Sequence, residues 1–376
     1  MDDIGIDGYR VHHEEFYAAF QKRFKTTAVE WLTPESPVDF NGVILSMDAV
    51  CMYADMQPYI HKSLKAFGML GDDFPGSTLP FYGNIADDVY DHGADALSIP
   101  ETKEFLTKVG VCNWIASSVA PTTKFPIQRI SMHMANPTIA ALRAVNTLLR
   151  YHKANQHLGL VAPLFDPEPL QGTEQYTFTV DADNSSNPEI DNKRRAMYSI
   201  MFGYQHSDAA VARVKELTGA VIPSMTPIMT RAKNLGIAFA TSQIGEMHVG
   251  TGSGENETYG MANAISHGLR FGYIQEEMGR SFPMPFRLVT DSTTAKVFAM
   301  GSAQRSTMLH VDQRQQWVQL CRDKRVVVVD QESGASNRAD INTKSFQRHP
   351  GKFMKQRAWI QFSVPANIFS TVDDSR

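Results

Sequence analysis

Residues 326–329 are four valines in unbroken succession, with Arg325 before them and Asp330 after. A strand with one wet face alternates apolar and polar side chains. An uninterrupted valine run therefore asks for a strand covered on both sides, as in a layered α/β fold. The sequence upstream supplies partners for it. Residues 176–180 alternate like a strand and end at Asp181, and 195–204 read as a second strand. Residues 237–250 hold a third, and 255–272 a helix. Residues 286–290 are a short apolar run ending at Asp291, followed by helical patterns over 292–300 and 308–321. Three strands, a helix, a strand, helices, the valine strand and a last helix predict one mixed α/β sheet.

The remainder of the chain has a different grammar. Residues 11–26 have helical spacing, with Phe16, Phe20 and Phe24 on one stripe expected to be core. Residues 54–68 read as a helix with Pro58 near its start and Gly68 as its stop. Residues 71–100 look irregular, 101–120 helical, and 136–155 strongly amphipathic, with Arg143, Arg150 and Lys153 on the polar side. The proline-rich 161–173 reads as the main boundary, and 205–236 as an insertion. The expected divisions are 1–70, 71–165, 174–350 and a basic C-terminal tail, 351–376. A chain of 376 residues has room for about two to three domains.

Composition narrows the function classes. A hydrophobic fraction of 43% and a charged fraction of 20% exclude a disordered or collagen-like chain. With a net charge of −4, a polyanion must be held by local basic patches. Cys51, Cys112 and Cys321 lie far apart, which argues against a disulfide framework or a zinc ribbon. Asp2 and Asp3 follow Met1, so no signal peptide is expected. The longest apolar stretch, 109–120, is too short for a bilayer, so no membrane partner is expected.

The chemistry is carried by acids at element ends. Asp181 and Asp291 close two strands, Glu257 lies in the first turn of a helix, and Asp340 opens the last one. In one sheet these positions can converge at a single edge. Four adjacent carboxylates stay ionised only beside cations, and all-oxygen donors suit Mg²⁺ or Mn²⁺. Spacing alone leaves a second reading open, in which Asp291 and Asp340 are helix caps or turn residues. Asp183 and Glu255 are the neighbouring alternatives to Asp181 and Glu257.

At these residues the chain resembles the ribonuclease H domain of Ty1/copia-type long-terminal-repeat retrotransposons. The matching motifs are Asp181-Ala182-Asp183, Gly252-Ser253-Gly254-Glu255-Asn256-Glu257 and Thr290-Asp291-Ser292. Leu309-His310-Val311-Asp312 and Arg338-Ala339-Asp340-Ile341-Asn342-Thr343-Lys344 complete the series. Upstream, Met1-Asp2-Asp3 is similar to the end of a reverse-transcriptase palm motif, Lys22-Arg23-Phe24-Lys25 to a helix before the thumb, and Arg150-Tyr151 to the connection.

The resemblance implies a ribonuclease H-like mixed five-stranded sheet with flanking helices, preceded by a mainly helical thumb- and connection-like region. It implies an endoribonuclease cutting the RNA strand of RNA–DNA hybrids by two-metal-ion hydrolysis. Asp181, Glu257, Asp291 and Asp340 would be the catalytic and metal-binding residues, with two Mg²⁺ or Mn²⁺ ions. Arg194, Arg195, Arg305 and Lys344 are the expected nucleic-acid contacts, within basic runs that also include Lys193, Arg348, Lys352, Lys355 and Arg357. Reverse transcription is not expected, so Asp2 and Asp3 would be idle. Partners would be the hybrid, and the missing polymerase portion or a second copy. The location would be intracellular, cytoplasmic in a retroelement particle or nuclear. The family pattern is departed from at Asn184 and Asn256, and 331–339 lacks the histidine that many ribonucleases H carry there. Two other readings stay open: a non-catalytic hybrid-binding or assembly module, and an integrase-like nuclease acting on DNA.

Overall fold

The computed structural model describes residues 10–25, 28–49, 51–82, 95–164, 176–183, 197–205, 234–244, 253–301 and 313–364, with scattered positions between 207 and 216. Asp2, Asp3, Lys193, Arg194, Arg195, Arg305, His310 and most of the 205–236 insertion lie outside the described residues.

Asn41 and Gly42 both take positive φ, 56° and 81°. Asn-Gly is the preferred pair for such a two-residue turn. Here it closes a hairpin of β1 (Val38–Phe40) and β2 (Val43–Met47). β2 continues antiparallel into β3 (Cys51–Asp55), β3 into β4 (Leu158–Pro163), and β4 into β10 (Phe362–Ser363), the last strand among the described residues. Helices α2 (Gln57–Ala66), α3 (Ile99–Ser118), α4 (Lys124–Ser131) and α5 (Ile139–Ala154) accompany this sheet. The half expected to be mainly helical thus carries a five-stranded antiparallel sheet as well. Its longer strands match Phe286–Thr290 and Val327–Gln331 in length, but β3 finds its partner β4 only after four intervening α-helices, so no short-range pairing marks it. The predicted helix over 54–68 is the end of β3 followed by α2, which takes Pro58 in its first turn.

The second sheet has the order β7-β6-β5-β8-β9. β5 (Tyr176–Asp183), β6 (Met197–Gln205) and β7 (Asn234–Ile244) form an antiparallel meander. α6 (Ser253–Glu277) then crosses over to β8 (Phe286–Thr290), which lies parallel to β5. α7 (Thr293–Ala299) and α8 (Gln313–Asp323) lead to β9 (Val327–Gln331), parallel to β8. Three antiparallel strands followed by two parallel ones outside the first strand make this sheet ribonuclease H-like. β9 is the valine run. Val327 and Val329 are buried and Val328 is 38% exposed, so the strand is covered on one face rather than on both. Its place at the sheet edge accounts for the difference.

Alternation along β5 assigns its two faces. Tyr176, Phe178, Val180 and Ala182 join Ile265, Phe286 and Leu288 in the core beneath α6. Thr177, Thr179 and Asp181 are buried on the opposite face. That face is covered by a 3-10 turn, Arg338–Asn342, which packs against β5 and β6. Ala339 and Ile341 of this turn and Met201 of β6 belong to the hydrophobic cluster of the first half, beside Ile60, Val109 and Leu148.

The sequence divisions at 70 and 350 run through that same cluster. Met56, Ile60 and Leu64 share it with Phe105 and Val109, and Phe353, Trp359 and Ile360 close it from the C-terminal side. The described part of the 351–376 segment is therefore a helix, α9 (Pro350–Arg357), and β10, both packed into the first half. Apolar Phe353, Trp359, Ile360 and Phe362 among the basic residues explain why it folds back. The aromatic stripe of α1 (Arg10–Gln21) differs from expectation too. Phe16 and Phe24 are 48% and 56% exposed, stacked on either side of Phe20 along the helix surface.

Candidate metal centre

β5 and β8 run side by side up to the pair Val180–Thr290 and part beyond it. The carboxyl ends of parallel strands in an open sheet are where such folds place their sites. Asp181 follows Val180 on β5, and Asp291 follows Thr290 on β8. The 3-10 turn brings Asp340 in from above, capped by Asn337, whose side chain accepts from the Ala339 amide. Asp181, Asp291 and Asp340 each offer a carboxylate oxygen, and these oxygens all lie within 4.8 Å of one another. Asp181 and Asp340 are buried, and Asp291 is half-buried on the open side.

Glu257 fills the notch where the two strands separate. Its Oε1 accepts from the Ala182 amide at 3.0 Å and its Oε2 from the Thr290 hydroxyl at 3.2 Å. It is within electrostatic reach of Asp181 and Asp291 but does not belong to the group of three aspartates whose oxygens lie within 4.8 Å of one another. Its neighbours Glu255 and Asn256 are buried as well. Asp183 is the last residue of β5, opposite Met197.

Two lysines offset part of the negative charge. Lys344 Nζ donates to Asp340 Oδ1 at 2.6 Å and to Asp181 Oδ1 at 3.3 Å, and Lys352 Nζ donates to Asp340 Oδ2 at 3.1 Å. The Thr343 hydroxyl donates to Asp181 Oδ2, and Asn337 Nδ2 to Asp181 Oδ1 at 3.3 Å. Even so, Asp181 and Glu257 resist ionisation. Burial, then Asp340, pushes Asp181 up to about 7 against the opposing pull of Lys344 and Thr343. Burial and the nearby Asp181 push Glu257 up to about 9. Burial disfavours the Lys344 ammonium, but Asp181 and Asp340 outweigh that and hold its pKa above the ordinary value.

An all-oxygen donor set with more acid than its lysines neutralise is the environment a hard divalent cation fits. Lys344, expected to contact nucleic acid, lies on the carboxylates. Sequence reading missed Thr343, Asn337 and Thr290, although Thr343 immediately precedes Lys344 in the final motif. It also did not separate Lys352 from the other basic residues around it.

Two of those others, Arg357 and Lys355, contact residues of the first half. Arg357 Nη1 donates to Asn155 Oδ1 at 2.6 Å, and Lys355 stacks over Trp359. On α5, Lys153 Nζ donates to the carbonyls of Leu70, Gly71 and Phe74, and Arg150 stacks over Phe74. Those two basic residues of the α5 polar side hold the 70–77 loop. Among the described residues no helix is long and apolar enough to cross a membrane.

No protein-family model and no curated protein matches the chain. Two solved structures are similar to it. One is the N-terminal RNase H domain of Rv2228c from Mycobacterium tuberculosis, solved as a fusion with maltose-binding protein. It is 10% identical with a TM-score of 0.28, over 47% of this chain and 96% of that one. The other is the prototype foamy virus protease–reverse transcriptase, 13% identical with a TM-score of 0.25. That match spans 52% of this chain but 22% of the other. The ribonuclease H-like fold is defined by the strand order and the α6 crossover.

Proposed function

We propose that the chain is a ribonuclease H of retroelement type, hydrolysing the RNA strand of RNA–DNA hybrids. The observation that carries this reading is the convergence of Asp181, Asp291 and Asp340 from a strand, a strand end and a separate turn. Asp181, Asp291 and Asp340, with Glu257 beside them, would hold Mg²⁺ or Mn²⁺ ions. When bound, the ions supply activation of water for attack on phosphorus and stabilisation of the leaving 3′ oxygen. The chain's own residues do the positioning. Thr343 and Asn337 orient Asp181, the Ala182 amide and Thr290 hydroxyl fix Glu257, and Gln331 Nε2 donates to the Asp291 carbonyl at 3.3 Å. Discrimination of RNA from DNA would come from contacts to 2′-hydroxyls across the wide minor groove of the hybrid. Arg194, Arg195 and Arg305 remain proposed backbone contacts.

The test is a strand-labelled hybrid incubated with Mg²⁺ or Mn²⁺. RNA-strand cleavage is expected, and Asp291→Asn should reduce it by about 10³-fold or more. Cutting of duplex DNA instead would overturn the substrate assignment. A second reading, a hybrid-binding module without catalysis, is favoured by one feature: Lys344 and Lys352 already pair with Asp181 and Asp340. Hybrid binding with no cleavage under either metal would select it.

A further inference from the structure

Lys344 and Lys352 reach the acids by separate routes. Lys344 lies one helical turn beyond Asp340, whereas Lys352 comes from α9, whose neighbouring Phe353 is buried in the first hydrophobic cluster. Both lysine side chains are about two-fifths exposed, at 40% and 41%, while the Asp181 and Asp340 side chains are 2% exposed. The ammonium groups therefore sit on the solvent side of the two buried aspartates. Both oxygens of Asp340 and one of Asp181 are engaged by them.

We propose that Lys344 and Lys352 are built-in counter-cations that compete with divalent metal for Asp181 and Asp340, so that metal entry and lysine release are one event. This rests on the metal-holding role given above to the acids. A metal ion within ligand distance of an oxygen already in contact with an ammonium group would stand about 4 Å from that group. Two cations that close, in a partly desolvated site, repel strongly. Asp181 keeps the Thr343 and Asn337 donors after the lysine leaves, so its carboxylate stays in place for the ion.

Calorimetric titration of the full chain with Mn²⁺ tests the competition. Lys344→Met and Lys352→Met should each bind Mn²⁺ more tightly than the unaltered chain, by about tenfold for Lys344→Met. Equal or weaker binding in both variants overturns the proposal. A second measurement needs no variant. Acylation of the two lysines by an amine-reactive reagent, read by mass spectrometry, should run severalfold faster with Mn²⁺ bound than without it. Unchanged acylation in the Mn²⁺-saturated protein overturns the proposal while leaving the metal site standing. If Mn²⁺ binds to neither the unaltered chain nor the variants, the metal-holding reading falls and this inference with it.

Discussion

Glu257 is buried, hydrogen-bonded on both oxygens and surrounded by further acids, and its folded-state pKa of about 9 lies far above the ordinary glutamate value. A carboxyl whose pKa is raised on folding binds its proton more tightly in the native state. Its contribution to metal-free stability is present below about pH 4.5 and is lost as pH rises through about 9. Between pH 5 and 7 that loss amounts to about 3 kcal/mol. Asp181 acts in the same direction up to about pH 7. Urea midpoints of the metal-free protein should therefore fall from pH 5 to pH 9, and Glu257→Gln should flatten the curve. A pH-independent midpoint would refute the assignment. Gly334 offers a second test. A Cβ built there would lie 2.9 Å from Asp291 Oδ2, so a side chain at this position would crowd that carboxylate. Gly334→Ala should leave the melting temperature nearly unchanged and lower hybrid cleavage by about 10- to 100-fold, as expected when a metal ligand is misplaced. The aspartates were legible in the sequence through their motifs, although only Asp291 follows a strand end directly: Asp181 lies two residues inside β5 and Asp340 in the middle of the 3-10 turn. Lys352 was not, since nothing local in a basic run says which lysine a distant turn will meet.

The strands of the second sheet legible in the sequence are those in apolar runs ending at an acid or flanked by helical patterns. The pattern over 286–290 is β8 as observed, 176–180 lies within β5, and 195–204 overlaps β6. The first sheet escaped for a physical reason. β3 pairs with β4 across the whole of α2 to α5, so the pairing leaves no local trace. The Asn41-Gly42 hairpin was the one short-range signal available there, with apolar residues on both sides. At the C-terminal end, α9 contributes Phe353, fully buried against Phe81 and Tyr151. Phe353→Ala leaves a cavity in that cluster and should cost about 3–5 kcal/mol, read as a shift in the urea midpoint. A cost under 1 kcal/mol would mean that α9 is not part of the first core. The α1 stripe shows the limit of periodicity: it identified the helix, but its spacing cannot say whether a neighbour exists to cover it.

The first hydrophobic cluster joins residues on both sides of the second sheet in sequence, and takes Met201, Ala339 and Ile341 from the second half itself. The molecule should therefore unfold in one transition, with near-ultraviolet and far-ultraviolet signals coinciding. Two separated transitions would show that the halves are independent. A fragment covering 174–349 should fail to give a soluble, cooperatively folded product, because the face of β6 bearing Met201 and the apolar side of the 338–342 turn would meet water. The sequence division into successive regions could not foresee this, since a linear reading assigns each stretch to one neighbour in order.

Because β10 returns to pair with β4, the second sheet is attached to the first at both of its own ends. A unit strung on a single linker can wander and tumble. One anchored twice has little freedom to pivot, so an elongated substrate gripped by either half would be presented to the aspartates in a nearly fixed orientation, and the cut should fall at a constant number of nucleotides from wherever that grip is made.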